Sequence, residues 1–303
     1  MGTGSDGDDD AVRHRLVLTS QALACVLAAG FGLSSPGLEE TNAPLQPILE
    51  RLDKVAGLYR DNALSFACHE HILYTSGKPD PVVYDLEYIY EFDEKKTLHD
   101  HRTWPGGRKD HPGRDVAMSE LSVPSYVMRA YSSIFVFQRE KRPSYQFSVL
   151  GNETVLGRDA WVIGFESIPP YREAYNDWFG QAWVDRETYQ LLRVKQMKAD
   201  QHEEKLRLEA DLAASGGRRP TEHVIEEIEI EFSVEKNQMR FPSRVVTRRS
   251  RYQIRETSKG RKSVEWPLFK VEQTYSSYQF YGVRTSEQIR DLVNPEAAPK
   301  NHP

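Results

Sequence analysis

The stretch Val82-Val83-Tyr84-Asp85-Leu86-Glu87-Tyr88-Ile89-Tyr90-Glu91-Phe92 decides the fold class. Tyr84, Leu86, Tyr88, Tyr90 and Phe92 share one parity, and Asp85, Glu87 and Glu91 share the other, with only Ile89 out of place. Strand side chains alternate between faces, so this pattern describes a strand with one apolar and one wet face. Parallel strands buried on both sides would be apolar throughout, which points to antiparallel sheet. Residues 222–235 repeat the division, with Ile228, Ile230, Phe232 and Val234 against Glu227, Glu229, Glu231 and Glu235.

Working outward, residues 64–75 read as a strand with Phe66, Cys68, Glu70, Ile72 and Tyr74 on one face and His69, His71 and Leu73 on the other. Residues 42–59 read as a helix whose Leu45, Leu49, Leu52, Val55 and Ala56 form one stripe that needs a sheet to lie on. Val127 and Met128 fall in a short helical piece, residues 133–138 read as β-like, and residues 151–152 read as a turn. The hairpin 180–194 turns at Asp185-Arg186-Glu187-Thr188. Residues 199–220 are charged and weakly patterned, and read as a loop insertion. The sum is about ten strands in hairpin order with no βαβ rhythm and no nucleotide-type glycine loop. The expected fold is therefore mainly β (α+β): one large curled antiparallel sheet, an N-terminal amphipathic helix and inserted helical segments.

Arg13 and Arg15 precede an apolar segment, 16–33, and small residues follow. Residues 1–36 thus read as an export signal or an N-terminal membrane anchor, with Cys25 after Ala24 as a possible lipidation site. Residues 37–290 form the main domain and 291–303 a polar tail. The formal net charge of −5 leaves no global attraction to nucleic acid. The basic run 244–255 alternates with Tyr252 and Ile254 and reads as the wet face of a strand.

Neither a G-x-S-x-G elbow nor an H-E-x-x-H helix occurs, so no strong catalytic motif is present, and no cofactor is implied. His69 and His71, with His99 and His101, form two H-x-H pairs that share a face as metal ligands can, and His111 could add a loop ligand. In a regular meander one strand separates the pairs by about 9.6 Å, and their parity is the wet one. Glu70 carries the parity of the apolar set and therefore demands a partner, such as an arginine from a nearby strand.

The order of elements, with Phe66-Ala67-Cys68-His69-Glu70, Gly157-Arg158-Asp159-Ala160-Trp161-Val162-Ile163, Ala182-Trp183-Val184-Asp185-Arg186-Glu187-Thr188 leading to Leu191-Leu192-Arg193, and Phe241-Pro242-Ser243-Arg244-Val245, resembles the bacterial lipoprotein-carrier superfamily (LolA/LolB-like) over about residues 43–285. The chain departs from it in length, in the 199–220 insertion and in its charged outer faces. The resemblance implies an unclosed barrel with helices across its mouth and an acyl chain of a lipid or lipoprotein on its concave side. It also implies a periplasmic location and a transient envelope protein partner. The lining would then include Phe66, Glu70, Ile72, Tyr84, Leu86, Tyr88, Tyr90, Phe92, Val127, Met128, Ile228, Ile230 and Phe232. Two other readings stand beside it: a metal-dependent envelope protein using the four histidines, and a non-binding assembly module whose own side chains fill the interior.

Overall fold

The computed structural model describes residues 45–60, 65–92, 98–105, 115–123, 130–170, 177–214, 222–257 and 260–281. Helix α1 (Leu45–Leu58) leads into β1 (Phe66–Ser76), β2 (Val82–Phe92) and β3 (Leu98–Thr103). A 3-10 helix, Ala130–Phe137, precedes β4 (Tyr145–Val155), β5 (Arg158–Ser167), β6 (Trp178–Asp185) and β7 (Leu191–Lys198). Helix α2 (Ala199–Ala213) leads to β8 (Glu222–Glu231), the small hairpin β9 (Val234–Lys236) and β10 (Met239–Phe241), then β11 (Arg244–Thr257) and β12 (Gly260–Phe280).

Ten strands form one antiparallel sheet among the described residues, in the order β3-β2-β1-β12-β11-β8-β7-β6-β5-β4. Plain hairpin order holds on both flanks, but the first strand pairs with the last, Glu70 opposite Tyr275 and Ile72 opposite Gln273. The free edges, β3 and β4, are neighbours in sequence. The sheet is thus a barrel's strand order left open between β3 and β4. The sheet also curls. Helix α1 packs on the β4 edge, and its C-terminal neighbour Tyr59 meets Phe241, whose ring meets Phe66 of β1. Flat, β4 and β1 would lie about 34 Å apart at the usual strand spacing. A helix of this length spans only about 21 Å.

Parity along β1 and β2 is as the sequence reads. Phe66, Cys68, Glu70, Ile72, Leu86, Tyr88 and Tyr90 are buried, Asp85 and Glu87 are exposed, and Tyr84 is half-buried. In β8, Ile228 and Ile230 are buried, while Phe232 lies just beyond the strand and is buried too.

Several elements differ from expectation. Residues 199–213 are helix, not loop. The stretch is rich in Glu, Leu and Ala, and Arg207 pairs with both Glu203 and Glu204 one turn away. Its polarity hid a narrow stripe, Leu208 and Leu212, that packs on Ile225, Tyr252 and Ile254 of the outer sheet face. His223 pins the helix from below, 2.9 Å from Glu204 and 3.2 Å from Asp211. Of the β-like residues 133–138, all but Gln138 fall instead in the 3-10 helix, where Ile134, Val136 and Phe137 join the core. Short apolar runs of this kind carry no decisive period. Gly151 is not a turn but part of a bulge inside β4. The tight turn closes the same β4–β5 hairpin at Leu156 and Gly157, one residue ahead of the turn that Gly157-Arg158-Asp159 suggests, both with positive φ (53° and 74°) as a two-residue primed turn requires.

Candidate functional site

The concave face of the sheet carries two apolar clusters, and the larger draws on both halves of the sheet. Phe66, Tyr88 and Tyr90 from β1 and β2, Ile163 and Phe165 from β5, Val194 from β7, Ile228 and Ile230 from β8, with Phe232, all belong to a single core. Ile48, Leu49, Leu52, Val55 and Ala56 of α1 fill the hollow of that face, and Ile134 and Phe137 close it beside them. The aromatic side is densely interleaved: Phe66 stacks on Tyr90 at 5.4 Å between centroids, and Tyr278 and Phe280 stack at 6.0 Å. The cover is a helix and a 3-10 segment, joined by Met239 and Phe241 of the small β9–β10 hairpin. Its attachments are specific. Arg142 donates to the carbonyl of Leu49, the amide of Arg139 donates to Asp53 at 2.8 Å, and the Tyr59 hydroxyl donates to the carbonyl of Arg240.

A second apolar cluster lies further along the same strands. It contains Ile72, Leu86 and Val271 and is capped by Val116, Leu121 and Val123, with Tyr74, Tyr84, Trp104 and Phe269 around it. The Tyr84 hydroxyl accepts from the Ser122 amide at 2.7 Å, tying that cap down.

Between the two clusters sits a buried polar group. Glu70 is fully buried (0% exposed) and Arg102 of β3 is 5% exposed. Arg102 reaches across β2, with its guanidinium 4.5 Å above the Tyr88 ring, and donates twice to Glu70 at 2.5 and 3.0 Å. Gln273 of β12 donates at 2.9 Å to Glu70 Oε1, the oxygen that also accepts from Arg102 Nη2, and to the Tyr275 hydroxyl at 2.8 Å. The Tyr88 hydroxyl donates to Asp100 at 3.3 Å. Burial opposes the charge on Arg102, but the charge and hydrogen bonds of Glu70 outweigh it and hold the guanidinium above its usual range. Burial first, then the Asp100 charge at Tyr88 and the Glu70 charge at Tyr275, keep both phenols protonated well above their usual range. Two amides on the same inner face have polar atoms with no hydrogen-bond partner among the described residues: Gln273 Oε1 and both side-chain atoms of Gln196. Gln196 lies opposite Ile228 in β8 and Gly180 in β6.

The structure thus brings Phe66, Tyr88, Tyr90, Ile228, Ile230 and Phe232 together in the main cluster and Ile72, Tyr84 and Leu86 in the second, with Glu70 between. Val127, Met128, His111 and the side chains of Phe92 and His99 lie outside the described residues. The arginine that Glu70 demands is Arg102. It was legible: if His99 and His101 face water, Asp100 and Arg102 face inward. The histidines lie on the outer face, His69 opposite Glu87, His71 opposite Asp85 and His101 opposite Ile89. His71 Nδ1 is 2.7 Å from Asp85 and His69 Nε2 is 3.7 Å from the same oxygen. Among the described residues no three His, Cys, Asp or Glu side chains converge as metal ligands.

Compared with known proteins, the chain matches no family model and no curated sequence. It is similar to solved structures. One is a domain described as an outer membrane lipoprotein-sorting protein from Vibrio parahaemolyticus: 10% identity, TM-score 0.43, 84% of this chain and 99% of that one. A second is a DUF1329 family protein from Desulfovibrio piger: 10% identity, TM-score 0.40, 84% and 98% covered. A third is a LolA superfamily protein from Nitrosomonas europaea: 13% identity, TM-score 0.35, 80% and 96% covered.

Proposed function

We propose that this chain is a carrier-like protein of the bacterial cell envelope, which takes an acyl chain of a lipid or lipoprotein against its concave face by displacing α1. The observation that carries this reading is the cover. The main apolar cluster of the sheet's inner face is covered by one short helix and a 3-10 segment, which pack on each other and on the free β4 edge. Such a cover can leave without breaking a sheet hydrogen bond.

The energies are commensurate. Exposing the five buried large side chains Ile48, Leu49, Leu52, Val55 and Leu58 of α1 costs about 1.5–3 kcal/mol each, or about 7–15 kcal/mol together. A sixteen-carbon acyl chain taken out of water gains about 12 kcal/mol at about 0.8 kcal/mol per methylene. Helix and acyl chain are therefore competing occupants of one surface. Phe66, Tyr88, Tyr90, Ile228, Ile230 and Phe232 are its walls, and Ile72, Leu86 and Tyr84 its extension. Glu70 and Arg102, with the open amide atoms of Gln273 and Gln196, supply the few polar groups that orient a ligand in an apolar site. The segment 16–33 delivers the chain to the envelope, either as a removed signal or as a retained anchor. Among the described residues no helix is long and apolar enough to cross a membrane.

Lipid extraction and native mass spectrometry of protein purified from its own envelope test the reading. A bound acyl species is expected. Protein that carries none, and that also fails to bind a fluorescent fatty acid, ends it.

A further inference from the structure

The β11–β12 hairpin runs past the sheet. Pairing of β11 with β8 ends at Gln253 and Glu222, and pairing of β12 with β1 ends at Phe269 and Ser76, while the two strands stay paired out to Thr257 and Gly260. A free two-stranded ribbon is only marginally stable. This one is backed on one face by α2: Tyr252 and Ile254 pack on Leu208 and Leu212, and Arg261 donates to the carbonyl of Asp211 at 2.8 Å.

The opposite face of the ribbon carries Arg251 across from Trp266, Gln253 across from Val264, and Arg255 across from Lys262. Trp266 is 48% exposed, and Arg255 and Lys262 are exposed two same-face positions further out toward the tip. The Arg255 guanidinium lies 6.0 Å from the Trp266 ring. On this face Arg251 meets Glu222 at 2.7 Å, and further in Arg249 lies across from Glu226. The contrast with the basic residues on the sheet's outer face is the informative point. There Arg244 meets Glu272 at 2.6 Å, Arg248 meets Glu229 at 3.5 Å and Lys270 meets Glu272 at 2.6 Å. Those are the ion pairs of an ordinary solvated face. At the tip, by contrast, two cations stand directly opposite one another, an arrangement that disfavours the hairpin unless something anionic covers it. An exposed indole with an unneutralised cation pair on the same face matches the interfacial zone of a bilayer: the ring sits at headgroup level and the cations meet anionic headgroups.

We infer that this ribbon face, centred on Trp266, Arg255 and Lys262, docks the protein on an anionic lipid surface. The site lies outside the concave core, so the inference goes beyond the carrier reading and does not need it. A protein that exchanges acyl chains with a membrane must nonetheless meet one.

The test is sedimentation of the whole chain with phosphatidylcholine vesicles, with and without phosphatidylglycerol. A retained apolar N-terminal segment would bind both kinds, so the ribbon's contribution is the part that depends on phosphatidylglycerol. Each cation near an anionic surface is worth about fivefold in binding, so Arg255→Ala with Lys262→Ala is expected to reduce the phosphatidylglycerol-dependent partition about 25-fold. Trp266→Ala is expected to reduce it further. Both variants are surface changes and should keep the parent's melting temperature and fatty-acid binding. The inference is overturned if the double variant partitions like the parent, if the parent ignores phosphatidylglycerol, or if its charge-dependent retention is on an oligonucleotide and not on vesicles. Loss of acyl-chain binding with vesicle docking intact would count against the carrier reading alone.

Discussion

Leu52→Ala separates a lid from an ordinary core helix. Leu52 is wholly buried in the centre of the α1 stripe, between Leu49 and Val55 and Ala56. Truncating such a leucine costs about 2–5 kcal/mol, transfer and cavity terms together. If α1 is fixed core, that loss falls on global stability and acyl binding does not improve. If α1 is a cover that must leave before an acyl chain enters, the loss falls on the closed state alone, because the open state already exposes Leu52. The closed-to-open equilibrium then shifts by the same amount. For a loss of about 3 kcal/mol, apparent acyl affinity rises up to about 100-fold, since each 1.4 kcal/mol is tenfold. Urea denaturation followed by circular dichroism gives the first quantity and titration with a fluorescent fatty acid gives the second. The expected result is lower stability with tighter binding. A variant that loses about 3 kcal/mol and binds no more tightly than the parent would refute the lid.

Arg102→Ala should cost about 3–5 kcal/mol, because it strands the buried carboxylate of Glu70; Glu70→Leu with Arg102→Met should return to within about 2 kcal/mol of the parent in the same urea experiment, and a double variant as weak as the single would contradict the pairing. Hydrogen bonds from Arg244 and Lys270 pull Glu272 down to about 2. A depressed carboxylate contributes stability that is fully present above its unfolded value of about 4.3 and is lost as pH falls toward 2. These groups are part-exposed and water screens the pairs, so the difference in stability between parent and Glu272→Gln should be about 1 kcal/mol or less at neutral pH and be lost as pH falls through 2. Gly180→Ala should destabilise by about 1–3 kcal/mol or more in a thermal melt, since the new methyl would run into the Lys195 carbonyl and lie 2.8 Å from the Phe165 ring.

The parts of the fold that follow period-two patterning were legible: the faces of β1, β2 and β8, the burial of Glu70, the outward histidines and the α1 stripe. What escaped was information that no local pattern carries. The Glu70–Gln273 contact joins residues 203 positions apart, and nothing near either residue says that the first strand pairs with the last. Helix α2 was missed because its apolar stripe is two leucines wide, so mean polarity masked a sequence of good helix formers. The basic run 244–255 reads as one wet face, yet the structure divides it. Arg244 and Arg248 are the ion-paired outer face, whereas Arg251 and Arg255 belong to the opposite one. The sequence resemblance led to the concave face, but only packing shows that α1 occupies it.

Hydrogen exchange along α1, read by mass spectrometry with and without a saturating fatty acid, bears most directly on the central claim. The account predicts that amides in residues 45–58 lose protection when the acyl chain binds, while β1, β2 and β8 keep theirs, because the helix yields its place to the ligand and the sheet does not move. Binding that leaves α1 as protected as before would place the acyl chain elsewhere and contradict the account.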